Sequence, residues 1–153
     1  MQEIEKKFLV HSMPDLTGAT KILVRQGYLT VTGDSTQLRL RQKGDHYFLT
    51  LKGGEGLIRT ERECEISQSQ FDTFWPETDG RRLEKERWTG PLNDGHIFEL
   101  DIFLGSLAPL KLVEVEFETE QLAHAFDPPD WFGADVTYDP RYKNSQLATQ
   151  SRE

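Results

Sequence analysis

Residues 3–10 read Glu3-Ile4-Glu5-Lys6-Lys7-Phe8-Leu9-Val10, with charge at positions 3, 5 and 7 and apolar side chains at 4 and 8. Successive side chains of a β-strand point to opposite faces, so Glu3, Glu5 and Lys7 project together from one face of a strand. The same period of two returns down the chain. Arg39 and Arg41 alternate with Leu38 and Leu40; Arg59, Glu61 and Glu63 share a face; Lys85 pairs with Arg87, Glu99 with Asp101, and Glu114 with Glu116. Strand after strand has a strongly charged face and, through Ile4, Leu100, Val113 and Val115, an apolar one.

This alternation predicts eight strands, over residues 3–10, 22–31, 38–41, 46–52, 57–66, 82–89, 97–104 and 110–118. Turn-forming clusters separate them: Thr32-Gly33-Asp34-Ser35, Gly44-Asp45, the loop Gly53-Gly54-Glu55-Gly56 and the hairpin signal Gly90-Pro91-Leu92-Asn93-Asp94-Gly95. The short connections favour antiparallel pairing, and eight strands suffice to close a barrel. Helices are few. Ser67-Gln68-Ser69-Gln70 has the form of a capping box opening a helix that ends near Trp75-Pro76. Glu120 to Phe126 is a second short helix, stopped by Pro128-Pro129, and Asp139-Pro140-Arg141 starts a third. The expectation is one all-β dominated domain over residues 1–153, an eight-stranded antiparallel β-barrel with a charged interior and a few short flanking helices.

Composition narrows the partners. At 153 residues the chain has room for one core. A net charge of −8 disfavours nucleic-acid binding, yet local basic clusters or a bridging metal still permit a phosphate ligand. The single Cys64 excludes an internal disulfide and fits a reducing compartment. The acidic start Met1-Gln2-Glu3 argues against a targeting peptide, and no apolar run reaches a membrane span. A cytoplasmic protein without a membrane partner is expected.

A solvated sheet face also alternates in this way. Such a face normally mixes signs, whereas many of these sets are nearly pure in sign, and like charges side by side are unfavourable unless opposite charge lies between them. Acidic pairs that hold divalent cations and basic pairs that hold phosphates would remove that cost, and a closed barrel brings both inside. An outer-membrane barrel is polar inside too, but the short strands argue against one. The apolar outer face is expected to lie under helices carrying Phe71, Phe74, Trp75 and Phe126. Cys64, between Glu63 and Glu65, is expected on that packed face with a structural role, and Trp88 is expected to face outward. His11, His46, His96 and His124 lack ligand spacing, and no Walker or other nucleotide-loop motif is present.

The ordered set Glu3-x-Glu5-x-Lys7, Gln26-Gly27-Tyr28-Leu29, Leu38-Arg39-Leu40-Arg41, Leu49-Thr50-Leu51-Lys52, Arg59-x-Glu61-x-Glu63, Lys85-x-Arg87, Glu99-x-Asp101 and Glu114-Val115-Glu116 resembles the CYTH, or triphosphate tunnel metalloenzyme, superfamily. The ending Trp131-Phe132-Gly133, Val136-Thr137 and Arg141-Tyr142-Lys143-Asn144-Ser145 is similar to its short bacterial, tripolyphosphatase-like branch. The resemblance implies a tunnel that binds a triphosphate with Mg²⁺, or Mn²⁺ in its place. It assigns Glu3, Glu5, Glu114 and Glu116 to the main metal site, and Glu61 or Glu63 to a second ion. Asp101 either orients the bases or meets metal through water. Lys7, Arg39, Arg41, Arg59, Lys85 and Arg87 become phosphate ligands, and Lys52 with Tyr28 a dyad that activates water. A Lys crowded by cations and partly desolvated can serve as such a base. With no base-cradling insertion, inorganic tripolyphosphate is the expected substrate of a monomer or homodimer. A nucleoside or thiamine triphosphatase, an adenylyl cyclase and a non-catalytic polyphosphate-binding module stay open as alternatives.

Overall fold

The structure, a computed structural model, describes residues 2–31, 33–53 and 57–150. Within the predicted turns, Thr32, Gly54, Glu55 and Gly56 lie outside the described residues. The elements run β1 (Gln2–Val10), β2 (Thr20–Tyr28), β3 (Gln37–Lys43), β4 (His46–Gly53), β5 (Ile58–Ile66), α1 (Gln68–Phe74), β6 (Arg82–Pro91), β7 (Ile97–Phe103), β8 (Lys111–Glu116), α2 (Glu120–Ala125), β9 (Phe132–Asp135) and α3 (Asn144–Gln150).

The strand order β5-β4-β3-β2-β6-β7-β8-β1 closes on itself because β1 also pairs with β5, through Gln2↔Thr60, Glu3↔Arg59 and Ile4↔Ile58. The result is the expected eight-stranded antiparallel barrel. β9 is an addition that the sequence reading lacks. It takes over the edge of β1 at Phe8 and Val10, beyond the point where β5 leaves it. β2 starts and ends earlier than expected, at Thr20 and Tyr28. Pairing with β3 tapers off there, where Leu29 N–H still donates to the Leu38 carbonyl but Leu38 N–H turns to Thr30 Oγ1.

The apolar core lies outside the barrel, as the pattern implies. Ile4, Phe8, Phe98, Leu100, Val113 and Val115 are buried beneath Phe117, α2 and the segment carrying Phe126, Trp131 and Phe132. Trp88 packs against the edge of this cluster and so faces outward. A second cluster, around Leu83, Phe103, Leu112 and Leu147, seats α3 at one end of the barrel. α1 opens with the capping box: Gln70 N–H donates to Ser67 Oγ, and Ser67 N–H donates to the Gln70 side chain. It buries Phe71 between Tyr47 and Trp75, and Gly27 makes room, since a Cβ there would lie 2.6 Å from Thr78 Oγ1.

Two outer-face expectations need correction. Phe74, in the last turn of α1, is 51% exposed. Cys64 does lie opposite Glu63 and Glu65, but it is exposed rather than packed. α1 covers β4 near Tyr47 and leaves the outer face of β5 bare at Thr60, Arg62 and Cys64. Among the described residues no helix is long and apolar enough to cross a membrane.

Candidate active site: a charged tunnel

Cross-strand register turns the charged faces into one interior surface. Lys7 stands beside Glu114 and Glu5 beside Glu116 on β1–β8, Glu99 beside Glu114 on β7–β8, and Glu3 beside Arg59 on β1–β5. On the other wall Tyr28 neighbours Arg39, Gln26 neighbours Arg41, and Lys52 neighbours Glu61. Between the walls lies a cavity of about 170 Å³. Its described lining includes eight Lys and Arg residues against six Glu, so a chain of net charge −8 has built an interior with a cationic surplus. A larger cavity of about 370 Å³ adjoins it at the α3 end and shares Tyr28, Gln37, Lys52, Arg59 and Lys143 with it.

The cations fall into two groups. Arg87 is satisfied by protein. It donates to both oxygens of Asp101, at 2.8 and 2.9 Å, and to Glu114 at 3.3 Å, and it pairs with Glu99 at 3.4 Å. Lys85 forms an ion pair of 2.7 Å with Asp101 behind the cavity wall, and neither residue lines the cavity. Burial pushes the Lys85 ammonium down to about 7 against the pull of Asp101. Burial also works against the charged form of Asp101, yet Arg87 and Lys85 hold its carboxyl below the usual range.

The second group has donors to spare. Nε of Arg39, Arg41 and Arg59 is buried in each case and has no hydrogen-bond partner among the described residues. Buried N–H groups are seldom left unpaired, and a guanidinium fork suits phosphate oxygens. Arg41 gives Nη2 to Glu63 at 3.2 Å, and Arg59 binds Glu5. Burial, with Arg39 and Arg87 adding to it, lowers Arg41 to about 10. Lys7 donates to the Tyr142 carbonyl at 2.9 Å, tying β1 to the segment before α3.

Lys52 and Tyr28 both line the tunnel. The partners of Lys52 are Glu3 at 3.3 Å and Glu61 at 3.5 Å, carboxylates rather than the crowd of cations expected around it. Tyr28 is buried, and its hydroxyl accepts a hydrogen bond from Gln26 Nε2 at 2.9 Å.

The carboxylates suit a hard divalent cation in chemistry. Glu3, Glu5, Glu61, Glu99, Glu114 and Glu116 supply only oxygen donors. Burial raises Glu116, and repulsion from Glu3, Glu99 and Glu61 raises it further, as expected where a cation belongs. No three His, Cys, Asp or Glu side chains among the described residues converge tightly enough to hold an ion, because Glu3 and Glu5 are turned to Lys52 and Arg59. Glu63 is engaged by Thr50 and Arg41 and does not line the cavity.

Lys43, Gln37, Lys143 and Asn144 also line the tunnel, beyond the site residues that the sequence points to, and so does Glu99 of the Glu99/Asp101 pair. Lys43 continues the Arg39-x-Arg41 face by one more step, so strand alternation does signal it. Lys143 and Asn144 arrive from the C-terminal segment, where no strand period announces them.

Residues 1–128 match the CYTH domain model. The chain therefore belongs to the CYTH domain family, for which a dependence on divalent metal is implied. It is 56% identical over 148 residues to the inorganic triphosphatase of Nitrosomonas europaea, covering 97% of each chain. It is 36% identical to the inorganic triphosphatase of Acetivibrio thermocellus, covering 95% of this chain and 92% of that one. The crystal structure of the inorganic triphosphatase NE1496 superposes with a TM-score of 0.74 at 54% identity, covering 96% of this chain and 94% of that one.

Proposed function

We propose that the tunnel hydrolyses inorganic tripolyphosphate to pyrophosphate and phosphate with Mg²⁺, or with Mn²⁺ in its place. The observation that carries this reading is the set of three buried, unpartnered guanidinium nitrogens on Arg39, Arg41 and Arg59 in a tunnel with surplus cations. The two relatives named inorganic triphosphatase support it over nearly the full chain.

Phosphoryl transfer depends mainly on positioning and charge neutralisation. Arg39, Arg41 and Arg59 hold phosphate oxygens through their spare N–H groups, with Lys7 and Arg87 adding charge from the opposite wall. Glu3, Glu5, Glu114 and Glu116, with Glu61, would hold the metal, which when bound neutralises phosphate oxygens. With Glu3 and Glu61 given over to the metal they would hold, Lys52 loses its two carboxylate partners and takes a proton from water, and Tyr28 orients that exchange by hydrogen bonding. The water oxygen forms a bond to a terminal phosphorus, the bond from that phosphorus to its bridging oxygen breaks, and pyrophosphate leaves with the electron pair. The reading takes residues 1–153 as one functional unit, a monomer or homodimer in the cytoplasm without nucleic-acid or membrane partners. The acidic composition and the lone Cys64 support that setting.

A phosphate-release screen tests the proposal. Tripolyphosphate, pyrophosphate, longer polyphosphate, ATP and thiamine triphosphate are compared with and without Mg²⁺. Tripolyphosphate should be cleaved fastest, in metal only. Preference for ATP or thiamine triphosphate would move the chain to another activity of this fold, and tight binding without turnover would make it a polyphosphate-binding module.

A further inference from the structure

Gln26 is fully buried on the interior face of β2, two residues before Tyr28, with Arg41 beside it on β3 and Leu83 beside it on β6. It does not line the tunnel. Its Nε2 donates to the Tyr28 hydroxyl at 2.9 Å, while its Oε1 has no partner among the described residues. An amide is a poor choice for packing alone at such a place, because a buried amide oxygen without a donor is unfavourable and an apolar side chain would avoid that. What the amide supplies is one directed bond to the phenol. With an oxygen lone pair occupied by Gln26, the Tyr28 hydroxyl keeps its own hydrogen free to donate elsewhere. Tyr28 and Lys52 together border both the tunnel and the larger cavity at the α3 end.

We propose that Gln26 is a positioning residue for the hydrolysis, fixing the Tyr28 hydroxyl so that its hydrogen is presented to the tunnel. This rests on the reading above that Tyr28 takes part in the reaction. Gln26 does not line the tunnel and acts through the phenol.

The test is a double-mutant cycle on tripolyphosphate with Mg²⁺. Gln26→Met matches the side chain in length and removes the donor. It should lower kcat roughly tenfold with KM within about twofold. In the Tyr28→Phe background, where the bond is already gone, Gln26→Met should change kcat by less than about twofold. Gln26→Asn keeps a buried amide but pulls it back from the phenol, and it gives the same readout should the Met variant not fold. An equal loss of kcat in both backgrounds would show that Gln26 only packs, and an unchanged kcat in the single variant would equally overturn the proposal. If Tyr28→Phe itself keeps wild-type kcat, the role of Tyr28 falls, and that of Gln26 with it, while tripolyphosphate hydrolysis stands. If the wild-type protein releases no phosphate from tripolyphosphate, the functional reading is what has failed.

Discussion

Glu63 braces Arg41: its Oε2 accepts from Arg41 Nη2 at 3.2 Å, and the same oxygen accepts from the buried Thr50 hydroxyl at 2.7 Å. Burial opposes ionisation of Glu63, yet the bond from Thr50 and the charge of Arg41 hold its carboxyl below the usual range. The carboxylate is thus charged, committed and turned to a guanidinium whose Nε remains unpartnered.

This relationship distinguishes a brace from a metal ligand. Glu63→Gln should raise KM for tripolyphosphate several-fold, because Arg41 loses the partner that aims it. The Mg²⁺ concentration giving half-maximal rate should stay the same. A marked rise in that concentration, with KM unchanged, would return Glu63 to the metal-binding role that the family resemblance implies. Titrating Mg²⁺ at saturating substrate is the measurement.

Glu116 carries the opposite signature, with burial and then Glu3, Glu99 and Glu61 raising its carboxyl above the ordinary 4.5. A carboxylate raised in the folded state costs stability above its folded pKa and costs none below the ordinary value. Glu116→Gln should therefore raise the melting temperature in chelator at neutral pH by a few degrees, and the gain should fade as pH falls towards about 4.5 and be absent below it. Activity should be lost. Thermal melts in chelator across pH check this, and a lower melting temperature for the variant would instead make Glu116 a structural ion-pair partner.

Asp101 should behave in reverse. It compensates two buried cations, through its pair of bonds to Arg87 and its 2.7 Å contact with Lys85. Asp101→Asn should cost about 3–5 kcal/mol, since breaking a buried ion pair leaves a charge uncompensated. Its carboxyl is lowered in the folded state, so its contribution is complete above the ordinary 3.8 and is lost as pH falls through the lower folded value. The gap between wild type and variant should hold at neutral pH and narrow below about pH 4. Denaturant unfolding at several pH values measures it; a gap of under ~1 kcal/mol at pH 7 would mean that water or rearrangement relieves the charges.

Lys52→Arg separates holding from activating. Arg keeps the charge that pairs with Glu3 and Glu61, but it cannot give up a proton near neutral pH. The account expects kcat to fall by roughly 10² or more while tripolyphosphate still binds by calorimetry. Retained turnover would make Lys52 one more phosphate anchor.

How much of this was legible depended on whether a single strand carried the signal. Alternation at Glu3/Glu5/Lys7, Arg39/Arg41 and Glu114/Glu116 shows which side chains share a face, because that follows from strand geometry alone. Whether the face lines a tunnel depends on closure of β1 onto β5, strands more than fifty residues apart, which no local pattern encodes. β9 escaped because Phe132-Gly133-Ala134-Asp135 is short and does not alternate. That Asp101 orients bases was open in the sequence, but its pairing with both Lys85 and Arg87, and that of Glu63 with Arg41, was not legible because register decides which cation each carboxylate meets. Cys64 was misplaced because strand parity tells which face a residue takes and not what covers it.

Metal dependence follows from the all-carboxylate donor set. Phosphate release should stop in EDTA, return with Mg²⁺ or Mn²⁺, and be weakly supported by Ca²⁺, whose longer and looser coordination fits in-line transfer poorly. Full turnover in chelator would remove the metal from the account.

The most direct test of the central claim, that tripolyphosphate is held and cleaved inside this barrel, is steady-state phosphate release by wild type and Arg41→Ala in Mg²⁺. Arg41 is buried, lines the tunnel and keeps an unpartnered Nε, so no surface site shares it. The account predicts that wild type cleaves tripolyphosphate and that Arg41→Ala raises KM at least about tenfold, with kcat falling too if the contact tightens in the transition state. A folded Arg41→Ala protein with wild-type KM and kcat would contradict it, and would place the reaction somewhere other than the tunnel.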